Sequence, residues 1–227
     1  KDNLPPQLFN LFIYPLGETP AGRYPEPKVI SLLKSPGYYI LNPNDTLLLK
    51  GEIGFGLETS DFLNDSNNRC GIYSIELSVN DLVIYLFKMD KFGFPESSYI
   101  NAHTDYKARI EKEKKVHLLY RKPNNRLSLY PLLINDGRFT FKSGETSEVN
   151  IKVRDAYGNT SELIFYVRGS APAVMSCKSD SIKNILFKWN TPNYYENSQV
   201  NLSIQLNSLY EDLLFNYIRL DAAKGNI

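Results

Sequence analysis

Polar and apolar residues alternate along much of this chain. Tyr73, Ile75, Leu77 and Val79 are interleaved with Ser74, Glu76 and Ser78, the period-two pattern of a strand with one buried face. Asn80-Asp81 follows, a pair that tolerates the positive φ angles of a two-residue hairpin turn. A turn there sets Val79 opposite Leu82, Leu77 opposite Ile84 and Ile75 opposite Leu86, all aliphatic. Such a pattern specifies the register well. The other face then holds Ser78 with Val83, Glu76 with Tyr85 and Ser74 with Phe87. This register leaves a stripe of Val83, Tyr85 and Phe87 that something else must cover.

Further strands follow the same rule. Leu47, Leu49, Ile53, Phe55 and Leu57 share one face of a long strand, and Gly51, Gly54 and Gly56 within it suggest a bulge or bend. Val149, Ile151 and Val153 alternate with polar residues, "DAYGNTS" makes a turn, and Leu163, Phe165 and Val167 complete a second hairpin. The core of a first domain is expected to contain Tyr73, Ile75, Leu77 and these six residues. Between Pro95 and Tyr130 the rhythm breaks. "DYKARIEKEKK" (Asp105–Lys115) predicts a short helix with Ile110 on its buried side. An insertion of that length is the natural cover for the Val83, Tyr85 and Phe87 stripe, the alternative being that the stripe docks another domain or a ligand. "GSAPA" (Gly169–Ala173) reads as a small-residue linker. Beyond it come three short strand patterns, around Ile185, Val200–Leu206 and Leu213–Tyr217. Three strands cannot close a sandwich, so this second unit is either truncated or leans on the first.

The expected fold class is all-β: an immunoglobulin-like antiparallel sandwich over 1–169, with an insertion at about 95–130 carrying a short helix, and a second, incomplete β unit over 174–227. The 227 residues allow one large or two small domains. A net charge of +1 gives no pull toward nucleic acid or an acidic membrane. "EKEKK" mixes both signs and reads as a solvated helix face. Tyr (16) and Phe (12) are abundant beside 2 Met. They suit strands, and Tyr also suits a glycan- or protein-binding surface. No apolar run is long enough to span a membrane. The chain begins at Lys1 without a signal peptide, which suggests a processed piece of something longer. Cys70 and Cys177 are the two cysteines and fall in different expected domains, where a disulfide between them stays an open option.

Candidate chemistry is sparse. His103 and His117 are the two histidines, and His103-Thr104-Asp105 is the nearest approach to a metal-binding pair. A zinc site needs three or four ligands, and no H-E-x-x-H, C-x-x-C or His-x-His is present. Neither a Gly-x-Ser-x-Gly elbow nor a glycine-rich phosphate loop occurs. "DSNN" (Asp65–Asn68) and "NPND" (Asn42–Asp45) carry oxygen donors of the kind calcium takes, but such loops commonly satisfy their own turns. Asn44, Asn64, Asn159 and Asn201 begin Asn-x-Ser/Thr sequons, relevant only in a eukaryotic secretory context.

Five blocks in order, "GIYSIELSVNDLVIY", "FPESSYINAHTDY", "RKPNNRLSLY", "GRFTF" and "VRDAYGNTSELIFYV", carry a family resemblance. Over about residues 5–220 the chain resembles the region that follows the catalytic domain in lysostaphin/LytM-type zinc metallopeptidases of Bacteroidetes-like bacteria (peptidase family M twenty-three). Those enzymes cut peptide cross-links of peptidoglycan with zinc held by a His-x-x-x-Asp motif and a later His-x-His. Neither motif exists here, so no catalytic residue carries over. The resemblance implies an accessory β module in the periplasm or cell envelope, with its own peptidase domain and peptidoglycan as partners. It implies no cofactor in this chain, zinc belonging to the absent peptidase domain. The competing expectation is a free-standing binding module or adhesin, with Val83, Tyr85, Phe87, His103 and Asp105 as the candidate interaction surface.

Overall fold

The structure is a computed structural model that describes residues 2–16, 26–64, 66, 68–91, 93–171 and 185–219. It is mostly β. The first strands are β1 (Gln7–Pro15), β2 (Lys28–Ser35), β3 (Tyr38–Asn42), β4 (Leu47–Leu49) and β5 (Glu52–Phe62). Next come β6 (Arg69–Cys70), β7 (Ser74–Val79) and β8 (Leu82–Lys88). The insertion contributes a 3-10 turn (Phe94–Tyr99), α1 (Ile100–His103), α2 (Tyr106–Lys112) and β9 (Val116–Leu118). β10 (Leu132–Leu133), β11 (Phe139–Thr140), β12 (Thr146–Arg154) and β13 (Thr160–Gly169) complete a 13-stranded sheet.

The sheet runs β10-β8-β7-β12-β13-β3-β2-β1-β5-β11, with β4 beside β13 and with β6 and β9 beside β5. Its pairs are antiparallel except for β3 and β4, which lie parallel to β13. The sheet curls on itself. Phe55 of β5 meets Phe165 of β13 edge-on, with ring centroids 5.5 Å apart, although β3, β2 and β1 separate those strands along the sheet. One continuous apolar core therefore draws on both halves of the sheet. The two hairpins abut as β7 and β12, where Ile75, Leu77 and Val79 face Val153, Ile151 and Val149. All of these are buried, as are Leu163, Phe165 and Val167. Tyr73 is the exception. It sits in the bend before β7, half-buried beneath Lys88, while Ile72 fills the core.

Asn80 and Asp81 form the expected turn, both with positive φ, and Val79 faces Leu82. Beyond that point the register differs from the alternation rule. A bulge lies between Leu77 and Ser78 on the pairing path: Ser78 faces Val83, but Leu77 faces Tyr85 and Ile75 faces Phe87. Ile84 is the extra residue. One added residue moves every later side chain to the opposite face. Tyr85 and Phe87 thus join Ile75 and Leu77 in the core, fully buried. Leu86 turns to the other face opposite Glu76, Val83 stays half-buried opposite Ser78, and Leu82 is 57% exposed. The stripe of Val83, Tyr85 and Phe87 expected from simple alternation does not exist as one surface. The physical reason is volume: the bulge keeps Ile84 buried and brings two large rings into the core in place of Leu82 and Leu86, and fully burying a large apolar side chain stabilises by roughly 1.5–3 kcal/mol.

The insertion does cover the two rings. β9 adds to β5, with Leu57 facing His117. The Tyr85 hydroxyl donates to the Leu118 carbonyl at 3.1 Å, and Tyr130 lies over Tyr85 and Phe87. Gly137 closes the turn nearby with φ +75, where a Cβ would come within 2.5 Å of the Leu119 carbonyl oxygen. The helix is shorter than expected. Asp105 is its N-cap, Glu113 in the left-handed region ends it, and Ala108 is its buried residue. Ile110 is 62% exposed, because so short a helix touches the sheet at only one position.

The glycines of β5 serve close packing rather than a bulge. A Cβ on Gly54 would strike the Tyr120 ring, and one on Gly56 the Tyr14 ring. The irregularity between β1 and β5 lies elsewhere, between Leu8 and Asn10 of β1, opposite Thr59 and Glu58. Gly51, with φ +71, separates β4 from β5.

The last unit holds β14 (Ile185–Phe187), β15 (Asn193–Glu196), β16 (Asn201–Ile204) and β17 (Leu213–Phe215). β14 pairs β17 and β15 pairs β16. It leans on the insertion: Lys122 pairs with Glu211, the Asn124 amide donates to the Leu209 carbonyl at 2.7 Å, and Tyr99 meets Tyr210 edge-on. Pro172 and Ala173 of the linker and Cys177, with any Cys70–Cys177 pairing, lie outside the described residues.

Phe87→Ala is expected to cost about 3 kcal/mol or more in a chemical denaturation experiment, as for a core aromatic. A loss below about 0.5 kcal/mol would place Phe87 outside the core.

Candidate functional site

Among the described residues, two clusters of buried polar side chains stand out. The first is built where the insertion meets β8. His103 ends α1 and stacks on Phe87, with centroids 4.0 Å apart and planes 14° from parallel. Its Nδ1 lies 3.1 Å from the Tyr130 hydroxyl and its Nε2 lies 3.0 Å from Nδ1 of His117. The Asn125 amide donates to the same Tyr130 hydroxyl. Both histidines are buried. The ring-to-ring hydrogen bond needs one nitrogen to donate and the other to accept, so the two rings cannot both be protonated.

Burial drives both imidazoles toward the neutral form. His117 is pushed down to about 3 by burial, with the Lys115 charge adding to it. His103 is pushed well below its usual value by burial, then by His117 and Lys115. Tyr85 and Tyr130 are pushed up by burial, Tyr130 less far because Asn125 and Arg121 oppose the shift.

Asp105, two residues from His103, has other partners. Its Oδ1 accepts from the Ala108 amide at 2.9 Å and its Oδ2 accepts from the Tyr14 hydroxyl at 2.6 Å. Burial raises Tyr14, and this contact with Asp105 adds to the rise. The structure therefore separates the His-x-Asp pair. One member belongs to the core of β8 and the other caps a helix against β1. Of the sequence candidates, Tyr85, Phe87 and His103 do come together, while Val83 and Asp105 stand apart from them.

The second cluster has no counterpart among the sequence candidates. Asp2 precedes β1, Asp61 lies near the end of β5 and Asp155 opens the β12–β13 turn. Each offers one carboxylate oxygen, and these lie within 4.8 Å of one another. All three residues are buried, at 8%, 4% and 1% exposure. Asp155 is held by its own turn. Its Oδ1 accepts from the Tyr157 and Asn159 amides at 2.8 Å each, and its Oδ2 accepts from the Asn159 side chain at 2.7 Å. Asp2 Oδ1 accepts from the Asn64 and Leu4 amides at 3.1 and 3.3 Å. Asp2 Oδ2 and Asp61 Oδ1 are buried with no hydrogen-bond partner. Burial pushes the Asp61 carboxyl up, as do Asp155 and Asp2, against a lowering hydrogen bond from the Phe62 backbone.

Spacing along the chain hides this cluster, since its members lie far apart in sequence. The one local signal was the "DAYGN" turn, which sequence reasoning took only as a turn. Of the loops weighed for calcium, "NPND" is exposed, and Asp65 and Asn67 of "DSNN" lie outside the described residues.

A third feature is a cleft between the large sheet and the last unit, lined by Tyr14, Tyr120, Lys122, Arg138, Trp189 and Glu211 among others. No helix among the described residues is long and apolar enough to cross a membrane. No family model matches the chain, and no curated protein or solved structure matches it either.

The histidine pair sets a pH dependence. Each ring has a lower pKa folded than its ordinary 6.5. Between about 3 and 6.5 the unfolded chain binds more protons, so stability rises with pH across that window and is lost as pH falls. Below pH 6.5 the slope should approach about 1.4 kcal/mol per pH unit for each histidine. Urea denaturation at a series of pH values from 7 to 5 reads this in the wild-type chain, above most carboxylate titration. A flat profile there would show that the histidines are not buried in neutral form.

Proposed function

We propose that this chain is a non-catalytic, immunoglobulin-like β module of a cell-envelope peptidoglycan endopeptidase, extracytoplasmic in location, that positions or regulates a zinc peptidase domain. The observation that carries the reading is the fate of His103. Its two nitrogens are taken by Tyr130 and His117, its face by Phe87, and Asp105 is engaged elsewhere. A catalytic zinc needs three protein ligands and an open water position. Both rings of the His103–His117 pair are buried and hydrogen-bonded to each other, which argues against an open water position there, although His117 Nε2 has no partner. The five-block resemblance supplies the family context, and the meeting of β5 with β13 across the curled sheet supports the immunoglobulin-like layering.

A second reading has its own observation. The cleft between the sheet and the last unit combines aromatic walls from Tyr14, Tyr120 and Trp189 with Lys122, Arg138 and Glu211. Flat rings beside charged groups suit a glycan or peptide ligand. On this reading the chain is a free-standing binding module or adhesin.

The test uses purified chain and purified peptidoglycan. The expected results are no stoichiometric zinc by elemental analysis and no release of soluble fragments. Tight zinc that is lost in His103→Ala, together with cleavage, would overturn the non-catalytic reading. Co-sedimentation with peptidoglycan that Trp189→Ala abolishes would favour the binding module. A zinc-peptidase domain encoded upstream of Lys1 would favour the accessory reading.

A further inference from the structure

The three-aspartate cluster carries an inference independent of that reading. Three carboxylates share one buried space, and among the described residues no Lys or Arg forms an ion pair with any of them. Like charges this close raise each other's energy steeply once water is removed. Buried charges are ordinarily paired or bound to metal. Asp155 is satisfied by its turn, but Asp2 Oδ2 and Asp61 Oδ1 have no donor. A buried oxygen without a partner is costly, and a cation held among the three carboxylates would relieve that cost and their mutual repulsion together.

We propose that Asp2, Asp61 and Asp155 form a calcium site. The donor set is all oxygen and carries no His or Cys, which disfavours zinc and copper. Donor atoms within 4.8 Å of one another fit inside one calcium coordination sphere, which is about 4.6–5.2 Å across at calcium–oxygen distances of 2.3–2.6 Å. Magnesium demands a tighter octahedron and keeps most of its waters, which three buried side chains do not favour. Backbone carbonyls or water complete the coordination.

The ion would sit where three distant segments converge. It would tie the segment leading into β1 and the end of β5 to the β12–β13 turn. The Asn159 amide, which donates to the Asp2 carbonyl as well as to Asp155, already joins two of them.

The experiment uses the full chain after chelator treatment. Calcium is titrated in by calorimetry, and melting temperature is followed in parallel. The expected result is one calcium per chain, with a rise in melting temperature that saturates with the same affinity. Magnesium should bind at least about ten-fold more weakly, in keeping with its reluctance to dehydrate. Asp61→Asn keeps the shape of the side chain and removes one charge. It should lose calcium binding by at least about ten-fold, since affinity follows the number of charged ligands. Without calcium it should melt no lower than the wild-type chain, because the repulsion has been relieved. That second readout separates loss of the site from loss of the fold.

No heat and no melting shift up to about 10 mM calcium, beyond the weakest extracellular calcium modules, would overturn the proposal. So would calcium stabilisation that persists unchanged in Asp61→Asn. An equal response to magnesium would overturn the assignment to calcium.

Discussion

The structure depends on one extra residue in β8. Ile84 has no partner in β7, and the strand beyond it is turned by half a pleat. Tyr85 and Phe87 thereby enter the core beside Leu77 and Ile75 instead of facing outward. Everything the insertion does follows from that rotation. His103 has a ring to stack on, Tyr130 has two rings to cover, and the Leu118 carbonyl has a buried hydroxyl to accept from. β9 can then add to β5 directly over this cluster. Without the bulge, Tyr85 and Phe87 would face away from Ile75 and Leu77, and the insertion could not cover those rings as part of the same core.

Most of the strand content was legible from alternation, because period two is a direct consequence of strand geometry. The two hairpins appear at the expected places, and the Asn80-Asp81 turn has the expected backbone. The bulge was not legible. Leu82, Ile84 and Leu86 satisfy the simple register as well as Tyr85 and Phe87 satisfy the bulged one, so the local pattern is degenerate. What breaks the tie is the insertion, which rewards the larger rings, and that reward is long-range. The misplacement of Ile110 has a similar cause. In a helix ending at Lys112 only one turn contacts the sheet, and the small Ala108 takes the contact.

The two polar clusters show the same divide. His103 and Asp105 drew attention by adjacency in sequence, yet the fold sends them to different partners. Asp2 comes from the segment before β1, Asp61 from the end of β5 and Asp155 from the turn after β12, and they meet only because the curled sheet brings these segments together. In the histidine cluster both nitrogens of His103 are engaged, and His117 Nε2 is left buried without a partner. The other retains unpartnered oxygens and is where the molecule has capacity for a ligand.

The most direct measurement of this account is the pattern of cross-strand nuclear Overhauser effects in the β7–β8 hairpin. The bulged register predicts close backbone contacts between Ile75 and Phe87 and between Leu77 and Tyr85, together with ring contacts from Phe87 to His103. Contacts pairing Ile75 with Leu86 and Leu77 with Ile84 would contradict it, and would return Tyr85 and Phe87 to the outer face.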